Sequence, residues 1–228
     1  MVDIDAAQLT TNELNRKIRE LTNGGELDIK ILNPQARHNI LVAIFKSCKI
    51  HIDGSVGYYS ASLLDGPNVT IDGNAGWALG DNMMNGKIVL TKNAGASVAS
   101  TIRGGEVFVG GDAGARAGIS MKGGKLIIAG NAGFMTGFMM QKGEIIVCGD
   151  VGEGVGDSIY EGTIYVAGKI GSLGSDAQIV TPSEEELINI WHSLEEYGID
   201  QKYQFKKIVS AGKLYHFDSL ERLEKQIV

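Results

Sequence analysis

The chain has 228 residues and a mass of 24.3 kDa, enough for one elongated core with small end pieces. A net charge of −6 and a pI near 5.3 argue against nucleic acid as the main partner, because no basic stripe stands ready to release phosphate counterions. No apolar run approaches a membrane span, the acidic start at Met1 to Asp5 lacks a signal peptide's basic and apolar regions, and Cys48 and Cys148 make no disulfide framework, so a soluble, cytoplasmic protein is expected.

Residues 1–49 read as an N-terminal cap. Thr10 and Glu13 have capping-box spacing, with Leu9 and Leu14 as a hydrophobic staple. Leu14, Ile18 and Leu21 line one helix face, and Asn23-Gly24 stops the helix. Glu26 to Ile31 predicts a strand and Asn33-Pro34 a turn. His38 to Phe45 is an apolar run that fits helix or strand equally. A cap is expected because an uncovered end of a stacked repeat is an exposed strand edge.

Residues 50–177 are periodic. Gly57, Gly76, Gly95, Gly114, Gly133, Gly152 and Gly171 fall 19 residues apart without insertion or deletion. Ile50, Val69, Ile88, Val107, Leu126, Ile145 and Ile164 share one phase, and an equally apolar column follows two residues later, from Ile52 to Val166. This i, i+2 pairing is a short strand with one face inside. With a second set of corner glycines (Gly86, Gly105, Gly124, Gly143, Gly162), it describes one coil of a parallel β-solenoid, in about seven coils that stack to roughly 30 Å. The glycines are expected to supply left-handed corner dihedrals. The column Ser55, Asn74, Asn93, Asp112, Asn131, Asp150, Lys169 is expected to hydrogen-bond from coil to coil through stacked amides. Leu64, Met83, Ile102, Met121, Met140 and Ile159 form a second core wall.

Residues 178–228 read as a helix–hairpin–helix tail. Thr181-Pro182-Ser183-Glu184 opens a helix with Pro182 at its first position and Leu187, Ile190, Trp191 and Leu194 as its stripe. Gln204 to Val209 and Leu214 to Phe217 suggest a hairpin, and Asp218 and Glu221 cap a last helix. The outward strand column turns apolar along the chain, from His51, Thr70 and Val89 to Phe108, Ile127, Ile146 and Tyr165. Either β-propensity accounts for this, or the tail or a partner covers that face; the Leu187–Leu194 stripe is the expected cover.

The chemical inventory is thin. His38, His51, His192 and His216 are scattered, Cys48-x-x-His51 lacks a second ligand pair, and neither an N-terminal nucleophile nor a four-cysteine cluster is present. No catalytic, cofactor-binding or metal-binding residue is assigned. The loops Gly110 to Gly114 and Gly152 to Gly156 resemble phosphate loops superficially, but lack strand–turn–helix context and a P-loop lysine. Calcium β-rolls, hexapeptide acyltransferases and β-helix polysaccharide lyases fit the period and composition less well. One feature is not explained by the columns. Trp77 and Phe134 share a column, and Phe134, Met135, Phe138 and Met139 crowd one turn with Arg116 beside them. These residues are either core packing or a partner-binding patch, with Arg116 either solvated or a polar contact in it.

The repeats resemble the GXGXG domain at the carboxyl end of the glutamate synthase large subunit. The resemblance is carried by Gly73-Asn-Ala-Gly76-x-x-x-Gly80, Gly111-Asp-Ala-Gly114-x-x-x-Gly118, Gly130-Asn-Ala-Gly133-x-x-x-Gly137 and Gly149-Asp-Val-Gly152-x-x-x-Gly156, with Gly104-Gly105 and Gly123-Gly124. Related proteins are stand-alone archaeal and N-methylglutamate-synthase-type subunits and the β-helix subunit of formylmethanofuran dehydrogenase. The resemblance implies a right-handed β-helix that is architectural and holds no cofactor itself. FMN, iron–sulfur clusters and glutaminase activity would belong to partner subunits of an oxidoreductase complex in glutamate biosynthesis and nitrogen metabolism, with homo-oligomers also open. A formylmethanofuran-type subunit and a stand-alone carbohydrate-active β-helix protein are the alternatives. The third corner departs from the pattern at Lys92 and Ala99, where glycines would be expected.

Overall fold

The structure, a computed structural model, describes residues 1–212. Nine strands run parallel in chain order: β1 (Val2–Asp5), β2 (Asp28–Leu32), β3 (Lys49–Asp53), β4 (Asp65–Ile71), β5 (Asn85–Leu90), β6 (Glu106–Val109), β7 (Lys122–Ile128), β8 (Lys142–Val147) and β9 (Thr163–Val166). The register Ile50↔Val69, Val69↔Ile88, Ile88↔Val107 and onward to Ile145↔Ile164 is the 19-residue repeat in space. The chain is mainly β, a parallel solenoid of about seven regular coils. A less regular turn precedes them, since β2 pairs with β3 through Ile29↔Ile50.

Each coil has three walls. The strands form the first. The second is a one-residue bridge, Val56↔Ala75↔Ala94↔Ala113↔Ala132↔Val151↔Ile170. The third is neither helix nor strand: alternate residues are left-handed, as in Ser97, Ala99 and Thr101 (φ 61°, 57° and 55°). The ambiguous run from His38 has the same form, with Asn39, Leu41 and Ala43 at φ 55°, 58° and 58°. Both strand columns and the Leu64–Ile159 column are fully buried and form one cluster running from Ile4 to Ile208.

The first glycine column has a different cause from the one expected. None of its seven members is left-handed; they are glycine because successive coils touch there backbone to backbone. A Cβ on Gly114 would lie 2.7 Å from the amide nitrogen of Ala96. The second corner is the left-handed one, as at Gly124 (φ 73°). The polar column also works differently. Each side-chain oxygen accepts from the backbone N–H one coil on, as in Asn93 N–H to Asn74 Oδ1 (3.1 Å), Asp112 N–H to Asn93 Oδ1 (2.8 Å) and Lys169 N–H to Asp150 Oδ1 (2.7 Å). Only an oxygen is needed, so Ser, Asn and Asp interchange, and Lys169, at the last rung, only donates.

Helix α1 (Thr11–Asn23) starts at the Thr10–Glu13 capping box and ends at Gly24. It buries Leu14 and Ile18 and lies across the first turn: Asn15 donates to Asn39 O (2.7 Å) and accepts from Val42 N–H, and Arg19 donates to Val42 O. Helix α2 (Glu184–Glu195) begins two residues later than expected, with Ser183 as N-cap, Glu186 completing the box and Pro182 outside. Strand β11 (Lys206–Ser210) is antiparallel to β9 on one edge and to β10 (Ala177–Val180) on the other. The hairpin partner expected at Leu214 to Phe217 and the last predicted helix lie outside the described residues.

Candidate functional site

Two outward surfaces matter. On the strand wall, Phe108, Ile127, Ile146 and Tyr165 are buried under Ile190, Leu194 and Phe205, with Leu187 and Trp191 packed alongside. The Leu187–Leu194 stripe covers this face. Phe108 stacks on Tyr197 at 3.8 Å between ring centroids. Polar contacts follow a column that the sequence patterns did not single out: Lys87, Glu106, Lys125 and Glu144 are consecutive cross-strand partners of alternating sign. Lys87 reaches Glu106 and Glu196, both at 3.1 Å, Lys125 donates to Ser193 Oγ (2.8 Å), and the Tyr197 hydroxyl donates to Glu106. Partial burial opposes the Lys87 charge, but Tyr197, Glu106 and Glu196 outweigh it and hold its pKa above the usual lysine value. At the other end, Tyr165 Oη donates to Glu186 Oε1 (2.8 Å) and Lys207 pairs with the same carboxylate. Burial pushes against the Glu186 charge, yet Lys207, the Ser183 N–H and Tyr165 bring its pKa down to about 2. Cys148 lies in this cluster, its thiol raised to about 11 by burial.

The helix does not reach the first coils. There His51, Thr70 and Val89 line an open hollow of about 450 Å³ with Lys49 and Lys87. His51 Nε2 lies 3.1 Å from Asp72 Oδ2, and Cys48, three residues before it, is buried with its pKa raised by that burial. His38 stacks on Tyr58, and His192 is exposed on α2. Among the described residues no three His, Cys, Asp or Glu side chains gather as metal ligands, and no helix is long and apolar enough to cross a membrane.

The third wall carries the candidate patch. Trp77, Phe134 and Met139 are 58%, 46% and 45% exposed, Met135 and Phe138 are half-buried, and Arg116 is exposed; only Met140 of that segment is core. The core-packing alternative therefore does not hold for the three exposed residues. Arg116 and Met135 are neighbours in one column, whereas Trp77 stands three coils, about 14 Å, from Phe134. Trp77 instead ends a stack, His38 on Tyr58 at 4.4 Å and Tyr58 on Trp77 at 5.2 Å. Ala96 and Ala115 occupy the two rungs between Trp77 and Phe134. The column arithmetic that pairs Trp77 with Phe134 also contains Tyr58, so the same period pointed to this stack.

The Gly110–Gly114 loop spends its N–H groups on the solenoid itself. From Gly110 to Gly114 every N–H is engaged by the preceding or following coil: Gly110 to Leu90 O, Gly111 to Lys92 O, Asp112 to Asn93 Oδ1, Ala113 to Asn131 O and Gly114 to Ala94 O. Fold and surfaces together define a repeat-built parallel β-solenoid whose first glycine column serves stacking and whose strand wall is roofed by α2.

The chain belongs to the GXGXG motif family, whose match spans residues 35–188, more than half of its length. It is also similar to Protein GlxC of Rhizobium meliloti (strain 1021), 38% identical over 68 residues. That match covers 29% of this chain and 30% of the length of GlxC.

Proposed function

We propose that this chain is the architectural β-solenoid subunit of a glutamate synthase-related, ammonia-transferring oxidoreductase complex. It holds a glutaminase-type and a flavin-binding subunit in fixed relation and performs no chemistry itself. Residues 1–49 and 178–212 close and cover the solenoid, leaving its third wall for partners. The observation that carries this reading is the engagement of the Gly110–Gly114 amides by neighbouring coils, which occupies the donors a phosphate or dinucleotide would need there. Family membership and the motif resemblance support the choice of complex. FMN and iron–sulfur clusters then reside in the partner subunits.

Co-expression with glutaminase-type and flavin-binding synthase subunits tests the reading. The three chains are expected to co-purify, and the isolated chain to be colourless and inert towards glutamine and 2-oxoglutarate. Flavin bound to the isolated chain, or turnover by it, would refute the proposal.

A further inference from the structure

The third wall, together with the corner where it turns into β7 and β8, is not uniformly charged. Read coil by coil, residues 96–104, 115–123 and 134–142 contain Arg103, Arg116, Lys122 and Lys142 and no Asp or Glu. The coil before carries Asp81 and the coil after carries Glu153, Asp157 and Glu161. All four basic side chains are exposed, and among the described residues none has an ion-pair partner on the chain. Composition suggested no basic stripe; the coil register assembles one on a chain of net charge −6.

Two features make this belt more than a solvated face. Arg103 and Lys122 share a column one coil apart, and Lys122 is the direct cross-strand partner of Lys142. Like charges stacked at coil spacing destabilise the sheet, an arrangement that carboxylates from outside would relieve. Exposed Phe134 and Met139 lie in the same coils. Basic side chains flanking exposed aromatic and thioether groups fit an acidic segment that carries apolar side chains. A nucleic acid fits less well: it offers no apolar groups for Phe134 and Met139, and the negative charge on the rest of the chain repels a long polyanion.

We infer that the belt across these three coils docks an acidic, aromatic- or aliphatic-bearing segment of a partner protein. The inference rests on the architectural reading above and names the surface through which that role is exercised.

The test uses the full chain and a labelled twelve-residue probe peptide alternating Glu with Phe and Leu, read by fluorescence anisotropy. A counterpart with Lys for Glu, a single-stranded oligonucleotide and phosphatidylglycerol vesicles are run beside it. The acidic peptide should bind, the basic one should not, and binding should weaken as salt rises. R116E/K122E should weaken it about tenfold, whereas R16E/K17E on α1 should change nothing. K122E breaks the like-charge column, so its melting temperature should hold or rise, which separates lost binding from lost folding. Equal binding of both peptides, no effect of R116E/K122E, or tighter binding of the oligonucleotide or vesicles would overturn the inference. The same variants in the co-expressed complex separate the two proposals. If wild type co-purifies and R116E/K122E does so equally well, the belt is not the contact and the architectural reading stands. If wild type does not co-purify while the peptide results hold, the complex was wrongly assigned and the belt stands.

Discussion

Ala99 adopts the left-handed backbone (φ 57°) that Gly80 and Gly118 adopt one coil earlier and later (74° and 68°). An alanine there costs about 1–2 kcal/mol of backbone strain, so its presence needs a steric allowance. The core supplies one. A Cβ on Gly80 would lie 3.0 Å from Ile88 Cδ1, eight residues further on. Eight residues after Ala99 stands Val107, and eight after Ala61 stands Val69; valine has no Cδ1. Val107→Ile should therefore destabilise by about 1–3 kcal/mol. Ala99→Gly should recover most of that in the double variant, with a coupling of at least about 0.5 kcal/mol by urea denaturation. Additive effects would mean the two positions do not share space. The oxygen ladder allows a second residue-scale prediction. Asn93→Ser keeps an acceptor for the Asp112 N–H, as Ser55 does for the Asn74 N–H, and should be near neutral, whereas Asn93→Leu removes it and should cost about 1 kcal/mol. Equal melting temperatures for the two variants would show that the ladder contributes nothing.

At the scale of elements, α2 is held by an apolar stripe and by charge at both ends, and the charged end near Glu186 titrates. The folded pKa of this carboxyl, about 2, lies below its ordinary value of 4.5. A depressed pKa contributes stability that is fully present above the ordinary value and is lost as pH falls through the folded one. Docking of α2 should thus weaken between about pH 4.5 and 2, and Glu186→Gln should flatten that part of the profile. In Trp77→Phe, Trp191 on α2 is the remaining tryptophan, and its emission reports the change. An acid profile left identical by the Glu186→Gln substitution would exclude this carboxyl as the cause. The apolar half of this clamp was legible in the sequence, because Phe108, Ile127, Ile146 and Tyr165 fall in one column and Leu187 to Leu194 has helical spacing. The coil period, both core columns and the helix caps were legible for the same reason: each is a local pattern repeated. What was not legible depends on contacts between coils. The cause of the first glycine column lies in the approach of Gly114 to Ala96 and not in its own dihedrals. Strand β1, whose only clue was an acidic Val-Asp-Ile-Asp, is fixed by pairing with β2, and β11 by insertion between β9 and β10. On the third wall the exposure of Trp77, Phe134 and Met139 could not be told from burial, because alternate left-handed residues follow neither the helical nor the strand period.

The whole molecule is close to one-dimensional. Each coil bonds only to the coils beside it, so its stability is a sum of coil and interface terms, and the register carries the fold. Whole coils should then be removable where no roofing element is anchored. Residues 58–76 are one such coil: α2 packs on β6 to β9 and reaches back only to Lys87 and Val89. Deleting these 19 residues joins Gly57 to Trp77, brings the Asn93 N–H over Ser55 Oγ and leaves every later column in phase. This variant should fold with an unchanged circular dichroism shape and a lowered melting temperature. Deleting 58–75 instead removes one residue fewer and leaves every later column one residue out of step with the coils before it. Because side chains alternate faces along a strand, Ile88 would then stand where an outward residue belongs, opposite His51, and the inner columns would meet the outer ones at the junction. That variant should aggregate or fail to express. If both deletions fold alike, periodic stacking does not determine the fold; if neither folds, the coils are not interchangeable units and the end segments contribute more than nearest-neighbour stacking allows.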